Sequence, residues 1–288
     1  MIAIYKREVQ SYFSSMLGYI IVAVLTFLIA MFFSIYNLTY GYSSFGATLQ
    51  ATVLFFVFAV PMLTMRTFAE ERRQKTDQLL FTSPVSVTKI VLAKYMSTMT
   101  IIAIPLFISC VCPAIISLYG NATLLKDYCT IFAMLCMCSL FTSIGIFISS
   151  LTDNQIVAVF LTLFSLFLLY LLDSLSAIIP QTPLVSAIAY LAVIVIIAVV
   201  LRAATRNNGL VTLVVIGCMV VWAFFAMLKW DSLAGSISVF LNTFAVMPVI
   251  QNFVNYSVFD VKGIFYYLSF SALFLFLTVQ AIQRRRWN

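Results

Sequence analysis

The sequence predicts an all-α polytopic membrane protein with about eight transmembrane helices and both termini on the cytoplasmic side. The first observation is composition: 64% of the 288 residues are hydrophobic and 9% are charged, with a mean hydropathy of +1.11. A soluble domain carries about a quarter charged residues, so that class is excluded. The second is pattern: unbroken apolar runs of about twenty residues match the length of a spanning helix and not the alternation of a membrane β-barrel. The third is the complete lack of His, which removes the usual general base and the commonest metal ligand and makes catalysis by this chain a poor reading.

Residues 2–16 place Ile2, Tyr5, Val9, Tyr12, Phe13 and Met16 at helical spacing, with Lys6, Arg7, Glu8, Gln10 and Ser14 away from that stripe. This predicts an amphipathic N-terminal helix in the headgroup region, serving as an anchor or as a partner-docking surface. It lacks the small-residue cleavage site of a signal peptide. The spans follow at 17–36, 49–65, 88–118, 128–150, 156–172, 184–201, 209–228 and 263–283. The third is too long for one perpendicular crossing and should tilt, or kink near Pro105 or Pro113. The apolar stretch 237–258 contains Asn242, Pro248, Gln251, Asn252 and Asn255, and is read as one or two helices on, or re-entering from, the outer face within an extracytoplasmic segment 229–262. The whole of 1–288 then forms a single transmembrane domain.

Charge sets the orientation. Lys6, Arg7, Arg66, Arg72, Arg73, Lys75, Lys89, Lys94, Arg202, Arg206 and Arg284, Arg285 and Arg286 fall on inner segments, against only Lys126, Lys229 and Lys262 on outer ones. Thirteen against three is a strong positive-inside bias. It also accounts for the net charge of +7 without a nucleic-acid partner.

The segment 66–88 is the most informative inner loop. Glu71 precedes Lys75 by four residues, the favourable order for a helical ion pair, and Leu79, Leu80 and Phe81 give the segment an apolar end. Ser83 before Pro84 reads as an N-cap with Pro at the first helical position of the third span. Thr152 and Gln155 have the spacing of a capping box for the fifth. The pairs Cys110/Cys112 and Cys136/Cys138 point about 200° apart on a helix, so packing is preferred over metal binding. No P-loop motif is present, and no ionisable residue lies near the middle of a span. No cofactor, metal or catalytic residue is expected, and no motif picks out a substrate.

Four stretches together resemble a known family: Tyr5-Lys-Arg-Glu8 with Tyr12-Phe-Ser-Ser15; Phe68-Ala-Glu-Glu-Arg-Arg73 with Thr76, Leu79, Leu80 and Thr82-Ser-Pro-Val85; Ser149 to Gln155; and Tyr266 to Phe270 running through Phe274 to Trp287. They resemble the ABC type-2 transporter permeases, most of all the gliding-motility ABC permease subunits of bacteria. The resemblance leaves out about 184–230, so it implies a six-span core plus an extra helix pair at 184–228. It implies the membrane subunit of an exporter in a bacterial plasma (inner) membrane. The expected partners are two copies of a cytosolic ABC ATPase, a second permease copy or homologous permease meeting this one through the first and fifth spans, and an extracytoplasmic accessory protein. The coupling positions carried over are Glu70, Glu71, Arg72, Arg73, Thr76, Leu79 and Leu80. Lys75 stands where the family often has Gly, which alters the local turn. The alternative is an ATPase-coupled membrane anchor or mechanical scaffold that moves no solute.

The charge asymmetry makes a direct prediction: reporter tags at Lys229 and after Asn288 lie on opposite sides of the membrane. Tags on the same side would turn 237–258 into a ninth span.

Overall fold

The structure is a computed structural model that describes residues 1–73, 85–119, 123–188, 234–255 and 259–287, with a few isolated positions between 190 and 217. Those residues are helical wherever they are regular, with no strand among them, and the chain is a polytopic membrane protein. Its elements are α1 (Ile2–Ser14), α2 (Leu17–Phe33), α3 (Gly46–Thr64), α4 (Val87–Ser109), α5 (Val111–Tyr119), α6 (Leu124–Leu151), α7 (Gln155–Ile178), α8 (Ser236–Phe244), α9 (Met247–Asn255) and α10 (Val261–Trp287). Two π-helical stretches, Ser34–Thr39 and Arg66–Glu70, extend α2 and α3. Among the described residues six helices are long and apolar enough to cross a membrane: Leu17–Thr39, Gly46–Arg73, Val87–Leu118, Leu124–Leu151, Gln155–Ile178 and Val261–Arg284. Half of the expected span 184–201, and all of 209–228 except Gly217, lie outside the described residues.

The chain divides into two compact units, Met1–Tyr170 with Met247–Asn288, and Leu171–Val246. In the first, α6 is the axis: 83% of its apolar window is buried, against 22–33% for α2, α4, α7 and α10. It packs against α3, α4, α9 and α10, while α4 also carries α1 and α2. Close approach of α3 and α6 depends on Gly145, where an added Cβ would collide with the side chain of Thr64. Small residues at such crossings let helices pack tightly where lipid gives no hydrophobic drive for association. The outer helices expose Phe27, Phe107, Phe160, Phe164 and Phe265, an apolar surface of the kind that faces lipid. In the second unit, Ser176 donates to Asn242 Oδ1 at 2.6 Å.

The third span breaks at Cys110, between α4 and α5. Pro113 dictates the place, because its ring clashes with the carbonyl four residues back, that of Ser109, and supplies no N–H to it. Ser86 is extended and α4 begins at Val87; the helix start expected at Ser83 and Pro84 lies outside the described residues. Thr152 does not cap the fifth span: Asn154 Oδ1 accepts the Ile156 N–H at 3.0 Å, while Thr152 donates back to the Ile148 carbonyl at 3.3 Å. The described part of 237–258 is covered by two nine-residue helices, α8, which starts one residue earlier at Ser236, and α9, with an extended Ala245 after α8. Each is about 13 Å long, under half the hydrocarbon core of about 30 Å, so neither crosses alone.

Gly145→Leu is expected to cost about 1–3 kcal/mol through overpacking at Thr64, read as a lowered unfolding midpoint in detergent. Ala23→Leu, on the exposed face of α2, should leave that midpoint unchanged.

Candidate functional site

Where the second span leaves the bundle, the helix widens. The Ser149 hydroxyl, from the end of α6, accepts the N–H groups of Phe68 and Ala69 at 3.3 and 3.1 Å and reaches the Met65 carbonyl at 3.4 Å. A side chain inserted in this way opens the regular i to i−4 ladder, and the stretch Arg66–Glu70 is π-helical as a result. The widened turn points the Thr67 carbonyl at Lys94, which lies about 10 Å along α4 from its start.

Lys94 is completely buried. Its Nζ donates to the Thr67 carbonyl at 2.6 Å and contacts Glu71 Oε1 at 2.8 Å and Glu8 Oε1 at 3.3 Å. The three donors of one ammonium thus meet three acceptors on α1 and the end of the second span. The nitrogen also sits 5.1 Å from the centre of the Phe68 ring, within cation–π range. Beneath it, Phe68, Val87, Val91, Tyr95, Ile146 and Ile282 form a buried apolar cluster.

The expected coupling residues divide. Glu70, Glu71, Arg72 and Arg73 are placed at this end of the bundle; Thr76, Leu79 and Leu80 lie outside the described residues, as do Lys75 and Ser83. Glu71 is held by Lys94 and, at 3.4 Å, by Arg7. Glu70 pairs with Arg66 at 3.2 Å, and Arg66 donates to Ser15 Oγ at 2.5 Å. Arg72 reaches Asp153 at 3.2 Å in the connection between α6 and α7, and Arg73 approaches Gln155, the first residue of α7, at 3.5 Å. Asp153 is largely exposed, so that pair adds little stability. The buried Lys94 contacts dominate.

The N-terminal helix is amphipathic but turned differently from the expected stripe. Glu8 faces inward to Lys94, whereas Ile2 and Met16 are exposed. Tyr5, Glu8 and Tyr12 share the inner face: Tyr5 hydrogen-bonds Thr100 at 2.9 Å, and Tyr12 donates to the Leu63 carbonyl at 2.9 Å. Burial pushes the Tyr12 phenol above its usual range, which keeps it a donor. The helix rests against protein on this face because the slot it fills is polar.

Lys94, Glu8, Thr67 and Ser149 were not candidates on sequence grounds. The available signal was Lys94 itself, a lysine within the apolar run Ile90 to Ile108, where a charge needs partners. No group of three or more His, Cys, Asp or Glu among the described residues is placed to hold a metal ion. What the cluster can do is mechanical: it fixes three chain segments to one point.

Residues 41–228 match the family described as ABC-2 family transporter protein. The chain belongs to the ABC-2 transporter family. It is accordingly the transmembrane permease component of an ABC transporter, a multi-pass membrane protein and not itself the ATPase. Permeases of this family generally work with a cytosolic ATPase and are often dimeric. The matched region takes in 184–228. No curated protein matches the chain.

Lys94→Ala takes the buried cation away from the Glu8 and Glu71 carboxylates, leaving them the exposed Arg7 at 3.1 and 3.4 Å, and should cost about 3–5 kcal/mol. Adding Glu8→Gln and Glu71→Gln removes the two carboxylate charges and should recover much of that loss. Thermal unfolding of the three proteins in detergent decides; an unchanged midpoint for Lys94→Ala would mean that the ammonium holds nothing.

Proposed function

We propose that this ABC-2 permease is the membrane subunit of an ATP-driven exporter of the gliding-motility type in a bacterial plasma membrane, working as two permease copies with two ATPase subunits. The observation that carries the reading is the Lys94 junction. It joins α1, the end of the second span and the third span through Glu71, at the start of Glu70 to Leu80, the stretch to which the family resemblance assigns ATPase contact. A load applied there reaches α1 and α4 through buried ionic contacts that cannot slide without stranding a charge. Closure of the ATPase pair on ATP would push both permease halves through this point and shift them between inward- and outward-facing states. Leu79 and Leu80 supply the apolar tip of the contact, and Thr76 and the charges from Glu70 to Arg73 its polar flank.

The complex purified with its ATPase should contain two copies of each chain. Leu79→Asp or Leu80→Asp should abolish co-purification of the ATPase, since an unpaired charge in a buried apolar contact costs several kcal/mol, while membrane insertion persists. If both variants retain the ATPase and full substrate-stimulated hydrolysis, the segment serves only to set topology.

A further inference from the structure

A groove of about 460 Å³ lies between the start of α4 and the end of α10, within the size range of small-molecule sites. Its lining is graded along its length. Val91, Leu275, Phe276 and Val279 make an apolar wall, and Thr88, Gln280 and Gln283 line the groove where the two helices reach their basic ends. The residues that follow, Lys89 after Thr88 and Arg284 after Gln283, are both exposed, and neither has a carboxylate partner among the described residues. The lining therefore runs from hydrocarbon to amide and hydroxyl, and two exposed cations lie one residue beyond it in the sequence.

We propose that this groove binds a phospholipid with an anionic headgroup, its acyl chain against the apolar wall and its phosphate toward Lys89 and Arg284. Basic pockets between transmembrane helices recognise anionic headgroups in this manner. A second copy of the chain fits poorly, because a two-fold contact would bring the same patch against itself and oppose Lys89 and Arg284 with their own equivalents. Val91 belongs to the cluster that contains Phe68, and Leu275 and Val279 pack on it, so a bound acyl chain braces the wall behind which Lys94 sits. The proposal stands apart from the transport reading, since lipid binding needs neither ATPase nor substrate.

The test offers the full-length chain in detergent either phosphatidylglycerol or phosphatidylcholine with identical acyl chains, and reads retained lipid by native mass spectrometry. The parent should hold phosphatidylglycerol more tightly. Lys89→Ala and Arg284→Ala, both surface changes, should each weaken that binding about fivefold and leave phosphatidylcholine unaffected. Ala272→Trp, which fills the groove from its lining, should weaken both lipids. Equal retention of the two lipids by the parent would overturn the proposal. So would unchanged phosphatidylglycerol binding in the Lys89 and Arg284 variants, or an Ala272→Trp protein that changes its oligomeric mass while keeping its lipid.

Discussion

One buried ammonium constrains this end of the protein. Moving a lysine out of water costs several kcal/mol even after relaxation, and the cost is offset only when every donor finds an acceptor in good geometry. Lys94 meets that condition with two carboxylates and one carbonyl drawn from α1 and the end of the second span. None of the three can move away alone. Glu8 cannot leave without freeing the face of α1, Glu71 cannot leave without giving up the shorter of its contacts with Lys94 and Arg7, and the Thr67 carbonyl is available because Ser149 has opened the helix ladder beside it. The position of the second span's exit is thereby tied to the N-terminal helix, to α4 and, through Ser149, to the central α6.

The same economy explains why polar chemistry is concentrated in the helix ends. A bilayer provides no water to satisfy stray donors, so polar side chains inside the spans turn back on their own backbone. Thr52, Thr64, Ser97, Thr142 and Ser143 all donate to carbonyls three or four residues earlier in their helices. At the opposite end Asp127 accepts the Phe45 N–H at 2.9 Å and satisfies the start of α3, with Ser44 beside it at 3.3 Å. The bundle is otherwise held by fit, most tightly at Gly145 on Thr64 and, at the start of α10, Gly263 on Val249.

Much of this was legible in the sequence, for an identifiable reason. The length of an apolar run is a local property, and the helices Leu17–Thr39, Val87–Leu118 and Val261–Arg284 follow the runs at 17–36, 88–118 and 263–283. Pro113 likewise acts on the carbonyl four residues away, so the break in the third span was readable within a few residues. The site was less legible because its pairings are distant in sequence: Glu8 meets Lys94 across 86 residues. Lys94 read as one more inner-face charge, and Glu8 was assigned outward because a hydrophobic stripe sends charges to water. A local spacing rule also misled at the start of α7, where Thr152 and Gln155 match a capping box but Asn154 supplies the cap.

The placement of the cluster bears on how a push would travel. A flexible surface ion pair would absorb motion, because its members can exchange water for one another at little cost. At Lys94 no such exchange is open, since the nitrogen has no exposure and its apolar surroundings include the Phe68 ring. A displacement of the second span's exit must then either carry α1 and α4 with it or break a buried contact outright, and a packed core favours discrete alternatives over gradual deformation. The junction thus favours concerted movement of three segments, the property a permease needs if work done on its inner face is to alter helices that cross the membrane.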